Sequence, residues 1–138
     1  MRILLSPLVL LAGVAALSPA VAAREDTSSV QHLAGTYAVD CHRPESARAT
    51  VDTGALEVRR GRQRVRGISP RSDTRFFGPH PPKGFVTALK AKDQQRRELL
   101  FFVYRDGKGR RTIQIDGSPG MRQLLGEQVL AQRFRHCG

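Results

Sequence analysis

The chain has 138 residues and a formal net charge of +11, with 23 Lys and Arg against 12 Asp and Glu. A surface this basic attracts anions, such as the carboxylates of peptidoglycan, the phosphates of lipopolysaccharide, an acidic protein or nucleic acid. The sequence argues against nucleic acid, because no aromatic-bearing RNP-type motif accompanies the Arg residues.

Residues 1–23 have the pattern of a cleaved export signal. Arg2 precedes an apolar stretch that runs without charge to Arg24 and ends in small residues with the A-x-A spacing of a cleavage site. Because Pro and Gly interrupt a stretch of barely the ~20 residues that a membrane-spanning helix needs, a retained anchor is the less favoured alternative. The Arg-rich, Asn-free composition is typical of GC-rich bacteria. We therefore expect a periplasmic protein whose mature part keeps 22 Lys and Arg, an excess of 10 over its 12 acidic residues.

The only two cysteines, Cys41 and Cys137, each have a histidine beside them. In an oxidising compartment such a pair predicts one disulfide, which would close nearly the whole mature domain into a loop. The alternative is a Zn²⁺ or copper site made by Cys41, His42, His136 and Cys137. If the cysteines lie in strands, the adjacent histidines point to the opposite face of the sheet. The sequence therefore favours the disulfide and predicts no metal or other cofactor.

The first mature segments predict a flexible lead over residues 24–34, followed by short strands. Residues 36–42 alternate apolar and polar side chains as a half-buried strand does. Residues 49–52 and 56–59 predict a hairpin around a polar Thr-Gly connection. The extended run that follows, with Gly61 at its turn or bulge, carries arginines that we call the basic strip, a candidate surface for phosphates or carboxylates. The basic strip consists of Arg59, Arg62, Arg64 and Arg66.

Residues 67–84 predict a long loop, because they hold four of the eight prolines and no sustained hydrophobic period. Loops of this length in compact domains are functional or mobile. Phe76 and Phe77 can pack under the loop as a small satellite core. Alternatively, they can enter a partner's cleft together with His80, since a proline-stiffened loop loses little entropy on docking.

The strongest β signal lies between residues 85 and 116. Residues 85–92 and 111–116 place apolar side chains on one face, and residues 97–105 place them on both, which predicts a central strand covered on both sides. Residues 106–109, with two glycines, predict the hairpin turn between the last two strands. The basic residues around this turn are candidate partner-binding groups: Arg105, Lys108, Arg110 and Arg111.

Near the C-terminus the hydrophobic period changes from two to about 3.6 residues, which indicates a helix. Ser118 can cap this helix, Pro119 suits its first position and Gly126 can end it. Residues 129–137 predict a closing strand. The sum is a mainly β fold, a small antiparallel barrel or sandwich of about seven or eight strands with one short C-terminal helix, as a single domain over residues 35–138.

Catalytic signatures are not evident in the sequence. None of the four histidines stands in a nucleophile-elbow or zinc-protease motif, and the carboxylates are mostly solitary. A glycosidase-like pair of carboxylates is therefore not indicated. These observations predict a binding protein and not an enzyme.

The layout of the mature chain, from Gly35-Thr36-Tyr37 leading into Cys41 to the closing Phe134-Arg135-His136-Cys137, resembles small periplasmic immunity proteins that protect bacteria against secreted antibacterial effectors. In size and disulfide use it is also similar to periplasmic lysozyme inhibitors. Those inhibitors carry a Ser- and Gly-rich loop followed by an aromatic residue. Residues 107–111 of this chain lack the serines and the aromatic residue, so no inhibitory residue is carried over.

The resemblance implies a protein that binds and neutralises an envelope- or cell-wall-directed toxin, so that its partner would be a toxin or hydrolase. The alternative is an envelope-binding or assembly factor that contacts peptidoglycan or lipopolysaccharide through its basic surface.

Overall fold

Eight antiparallel strands close into a barrel in the computed structural model, which describes residues 25–75 and 78–138. The strands are β1 (Gly35–Ala38), β2 (Arg48–Val51), β3 (Ala55–Arg60), β4 (Gln63–Asp73), β5 (Phe85–Lys92), β6 (Glu98–Arg105), β7 (Arg111–Gly117) and β8 (Arg133–His136), and the helices are α1 (Glu25–His32), α2 (Pro119–Leu125) and α3 (Glu127–Leu130). The predicted mainly β fold is confirmed, and it is a barrel.

Each strand pairs with its neighbours in sequence, and β8 returns to pair with β1. In this last pairing Tyr37 lies opposite His136, and Ala38 lies opposite Arg135. Two predicted features, the export signal at residues 1–23 and the aromatic pair Phe76 and Phe77, fall outside the described residues. Among the described helices, none has the length and apolar character to cross a membrane.

Inward-pointing side chains fill the barrel. On β6 and β7, Leu99, Phe101, Val103, Ile113 and Ile115 are all at most 1% exposed, in agreement with the alternation in the sequence. The core cluster also includes large rings from the strands on either side of the closure, Tyr37 and Phe134. Side chains thus form a packed core of the kind expected for an eight-stranded barrel.

The outer face of β6 differs from the prediction that residues 97–105 form a central strand covered on both sides. Leu100, Phe102 and Tyr104 point outward and are half-buried. The Tyr104 ring has partial cover from the Phe85 ring, with 6.0 Å between centroids, and from the Arg133 guanidinium, 4.4 Å from its centroid. A closed barrel has a single core, so only the inward face of β6 is fully buried.

Helices close both ends of the barrel. At the end where β1 begins, Val30 of α1 and Leu33 join the core, and the Tyr37 hydroxyl donates to the Leu33 carbonyl oxygen at 2.8 Å. At the other end α2 packs so closely that a Cβ on Gly117 would lie 2.5 Å from Met121 Cγ. The core therefore extends from one capped end to the other.

Two helices stand where the sequence predicted something else. The lead expected to be flexible over residues 24–34 contains α1, whose Val30 is fully buried. The closing strand expected over residues 129–137 is reduced to β8, because α3 occupies its first part and buries both Val129 and Leu130. In both places burial against distant strands decides the structure, and a local pattern cannot register that burial.

β4 continues to Asp73, into residues predicted to be loop. A register shift between Ile68 and Arg71 marks a bulge, and Ser69 adopts a φ of 53° there. The Ser69 N–H donates to the Gly54 carbonyl oxygen at 3.0 Å. A bulge lets a strand accommodate a proline, so Pro70 does not end β4.

The predicted disulfide joins Cys41 to Cys137, with Cα atoms 5.5 Å apart. Asp40 turns the chain after β1, because its N–H donates to Ser46 Oγ at 2.8 Å and its carboxylate accepts the His42 N–H at 3.0 Å. The turn brings Cys41 back towards the segment after β8. Since the two sulfurs are bonded to each other, they are not available as thiolate ligands, and the alternative metal site is wrong.

Removal of the disulfide should destabilise the domain strongly. The bond joins residues 96 apart in sequence, and the chain-entropy model assigns a loop of that size about 4–5 kcal/mol. We expect the double variant Cys41→Ala, Cys137→Ala to lose roughly 3–5 kcal/mol of unfolding free energy in urea titrations. The parent protein, reduced with a thiol, should match the variant. Equal midpoints for the oxidised parent and the variant would contradict this prediction.

Candidate functional site

Two connections predicted to bind a partner meet at one end of the barrel, which we call the hairpin end. The β6–β7 turn (residues 106–110) and the β4–β5 connection (residues 74–84) join strands at this end. The last residue of β6 contacts the β4–β5 connection, because the Arg105 N–H donates to the Gly84 carbonyl oxygen at 2.8 Å. Gly84 has a φ of 84°, and a Cβ there would lie 2.5 Å from the Arg105 oxygen, so this contact requires glycine.

Asp106 holds the β6–β7 turn in shape. One carboxylate oxygen accepts the Lys108 and Arg110 N–H groups at 2.8 and 2.9 Å, and the other accepts Arg110 Nε at 2.8 Å. The hydrogen bonds from the Arg110 main chain and side chain keep the pKa of Asp106 below its ordinary value. The turn is therefore a fixed platform, and its only carboxylate is already engaged within it.

A surface cleft of about 770 Å³ lies between this turn and the disulfide. Its charged and titratable lining consists of Asp106, Arg110, Arg111, Arg135, His42 and His136. Three guanidinium groups and one side-chain carboxylate thus line the cleft. A lining of this composition favours an anionic ligand or an acidic surface.

Arg111 and His136 both line the cleft and contact each other. Arg111 donates through Nη1 to the His32 carbonyl oxygen at 2.7 Å, and its Nη2 lies 3.3 Å from His136 Nε2. The His136 ring packs edge-on against Tyr37, with 5.0 Å between centroids. Burial, and then the Arg111 cation, lower the pKa of His136 below its ordinary value. Burial also raises the pKa of Tyr37.

The described members of the predicted partner-binding group all lie at the hairpin end, but only two of them line the cleft. Arg110 and Arg111 line the cleft, while Arg105 lies opposite Arg111 in the β6–β7 register. Lys108 is exposed at the tip of the turn, and His80 is exposed in the β4–β5 connection. The hairpin end is therefore the surface on which the described members of this predicted group lie.

Three cleft residues were not predicted as partner-binding groups: the sequence does not single out Arg135, and it presents His42 and His136 only as ligands of the alternative metal site. All three lie within two residues of a cysteine. A predicted disulfide brings its flanking residues together, so the positions beside Cys41 and Cys137 were the available signal.

The basic strip begins at the opposite end of the barrel, around the β3–β4 turn that holds Arg62. Arg59 and Arg64 face each other across the two strands, and Arg64 forms an ion pair with Glu57 at 2.8 Å. Arg64 and Arg66 line a second cleft of about 410 Å³, where Ile68 is 55% exposed. The strip is thus partly neutralised by Glu57 and borders an apolar side chain.

Replacing Arg111 should raise the pKa of His136. The variant Arg111→Gln removes the cation but leaves the burial, so the pKa should move towards its ordinary value without reaching it. Because a lowered folded-state pKa costs stability as pH falls through about 6.5, the parent should lose more stability than the variant in that range. NMR titration of the His136 ring measures the pKa directly. Arg62→Gln serves as the control, and an unchanged His136 pKa in Arg111→Gln would contradict the assignment.

Comparison of the chain with models of known protein families, with curated proteins and with solved structures found no match in any of the three. The case for a function therefore depends on the chemistry of the two basic surfaces described above.

Proposed function

We propose that this protein is an exported immunity or inhibitor protein, which binds a cell-wall- or envelope-directed toxin in the periplasm and neutralises it. The observation that carries the proposal is the cleft at the hairpin end, where Arg110, Arg111 and Arg135 stand on a frame fixed by a tight turn and a disulfide.

The chemistry of this cleft complements the catalytic centre of a cell-wall hydrolase. Cell-wall hydrolases that cleave glycosidic bonds work with a pair of carboxylates in a cleft. Guanidinium groups match carboxylates in shape and charge, and can pair with them through two parallel hydrogen bonds. A protein that presents several guanidinium groups at one end of a barrel can therefore pair with such carboxylates and keep substrate out.

Rigidity and charge favour the same interaction. The Asp106 hydrogen bonds hold the β6–β7 turn in one shape, so that little conformational freedom is lost on docking. The excess of basic over acidic residues speeds the approach to an acidic partner through long-range attraction. Export, which residues 1–23 predict, would place the protein in the compartment where wall-directed toxins act.

Co-production of a toxin with this protein tests the proposal. Toxins encoded beside its gene would be directed to the periplasm of a sensitive strain, with or without the protein. We expect the protein to restore growth against one of them and to bind it in solution. The double variant Arg110→Glu, Arg135→Glu should weaken that binding by roughly 2 kcal/mol or more, about thirtyfold, because it places like charges against the toxin's carboxylates.

Arg62→Glu is the matched control, since Arg62 is an exposed arginine on the β3–β4 turn at the far end of the barrel. It should protect as well as the parent. Unchanged killing by every candidate toxin in the presence of the parent protein would contradict the proposal. Equal loss of protection in the control and the double variant would show that the interface is not confined to the hairpin end.

The second candidate function is envelope binding, and the basic strip supports it. Arg64 and Arg66 border a surface cleft beside the exposed Ile68, and Lys92 lies opposite Ile68 in the β4–β5 register. Cations next to an apolar side chain suit an amphiphilic anion, as a lipopolysaccharide anchor is. Peptidoglycan carboxylates would engage the cations alone.

Retention on purified lipopolysaccharide and peptidoglycan tests this second function. Binding through the strip should weaken as salt rises, because exposed charges are screened over about 8 Å at physiological ionic strength. The variant Arg62→Gln, Arg66→Gln should elute at lower salt than the parent, whereas Arg110→Gln should elute with the parent. Retention that is insensitive to salt, or equal in all three proteins, would contradict a role for the strip.

A further inference from the structure

We propose that the cleft at the hairpin end is a binding site for a single anionic oxygen group, a carboxylate or a phosphate, which docks against Arg111 and His136. The inference stands on the described geometry of the cleft and holds with or without a toxin partner. The ligand is a single oxygen anion, and its binding is coupled to the uptake of one proton.

Arg111 is held in place before any ligand arrives. Its Nη1 donates to the His32 carbonyl oxygen at 2.7 Å, and its Nη2 contacts His136 at 3.3 Å. A guanidinium group carries five N–H donors in a rigid fork, so these two contacts orient the fork and leave further donors. An oriented arginine loses less side-chain entropy on binding an anion than a free one does.

The contact between Arg111 and His136 fixes the state of the imidazole. Because arginine only donates, this contact is a hydrogen bond when His136 Nε2 accepts, that is, when the ring is neutral with its proton on Nδ1. Arg111 from β7 and Tyr37 from β1 contact this ring, and His42 lines the same cleft. The Arg105 charge acts on the same Tyr37. The ring thus has cations and an aromatic neighbour around it, with the Tyr37 hydroxyl already donating to Leu33.

An anion changes the balance at this ring. Its oxygen can accept from Arg111 and from a protonated imidazole at once, and its charge offsets the repulsion between the two cations. His136 then becomes a donor: Nε2 is protonated and donates to the ligand, whereas without the ligand it accepts from arginine. Binding of the anion is therefore coupled to uptake of one proton, which makes the affinity increase as the pH falls.

The neighbouring charges enlarge the site without competing for the ligand. Arg135 lies on the outer wall and lines the same cleft, as does Arg110. Asp106, the carboxylate among the charged lining residues, accepts three hydrogen bonds within its own turn. These hydrogen bonds are made within the turn and not to Arg111 or Arg135.

Titration of the isotope-labelled full chain with sodium phosphate, sodium acetate or sodium chloride tests the site by NMR. We expect saturable shifts of the His136 ring and the Arg111 side-chain signals. For acetate, which stays ionised over this range, the affinity should be several-fold to about tenfold higher near pH 6 than near pH 8. Comparison of the affinities for phosphate and acetate shows whether the site prefers a phosphate or a carboxylate. Chloride measures the effect of non-specific charge screening. Equal affinity at both pH values, or shifts that chloride reproduces, would overturn the proposal.

Variants separate the two halves of the site. Arg111→Gln should reduce the affinity at every pH, and His136→Gln should abolish the pH dependence while retaining weak binding. Arg111→Lys keeps the charge but lacks the fork. It should bind more weakly than the parent and provides the test if Arg111→Gln fails to fold. Arg96→Gln, at an exposed arginine between β5 and β6 at the far end, should behave as the parent does. Parent-like affinity in Arg111→Lys would also overturn the proposal.

The test of the anion site and the test of the immunity role can succeed or fail independently. A parent protein that binds anions in this manner but protects against no toxin would uphold the site and reject the immunity role. Protection without measurable anion binding would uphold the immunity role and reject the site.

Discussion

The fold depends on a brief pairing between its first and last strands. β1 and β8 align over two residue pairs, whereas β6 and β7 align over seven. The Cys137 N–H adds one hydrogen bond to the Thr36 carbonyl oxygen at 2.8 Å. Such a short ladder contributes little by itself, and the disulfide stands directly beside it. The covalent bond therefore secures the seam at which the sheet would otherwise open, leaving exposed edges.

The filled interior decides where a partner can be contacted. Rings such as Tyr37, Phe101 and Phe134 are fully buried between two helical caps. The contacting groups must then lie on the outer wall or the rim, and the structure divides them between these places. The basic strip lies on the wall and is partly neutralised by Glu57. The hairpin end lies on the rim, where guanidinium groups outnumber carboxylates, which favours it as the principal binding surface.

Alternation in the sequence predicted those elements whose burial is set by neighbouring strands. The hairpin of β6 and β7 follows from apolar residues at every second position and a turn with two glycines. The sequence could not show that β4 continues through Pro70, because that depends on a bulge and on the hydrogen bond between Ser69 and Gly54. It also could not show α1, since Val30 is buried by strands far along the chain. Local patterns predict contacts between strands that are adjacent in the sequence. The helices that cap the barrel pack against strands that are distant in the sequence and come together only when the barrel closes.

The same limit explains why the sequence predicted only part of the candidate site. The sequence identified Arg110 and Arg111 because they flank a recognisable turn, but His136 is 25 residues away from Arg111. Only the register between β7, β8 and β1 brings them within 3.3 Å of each other. An apolar residue at His136 would suit the packing against Tyr37 and would avoid the cost of an imidazole beside a cation, yet it would remove the acceptor that orients Arg111. Closure of the barrel thus favours an uncharged side chain at this position, whereas the proposed recognition of an anion needs a group that can take up a proton. A histidine that is neutral without the ligand and protonated with it would meet both demands.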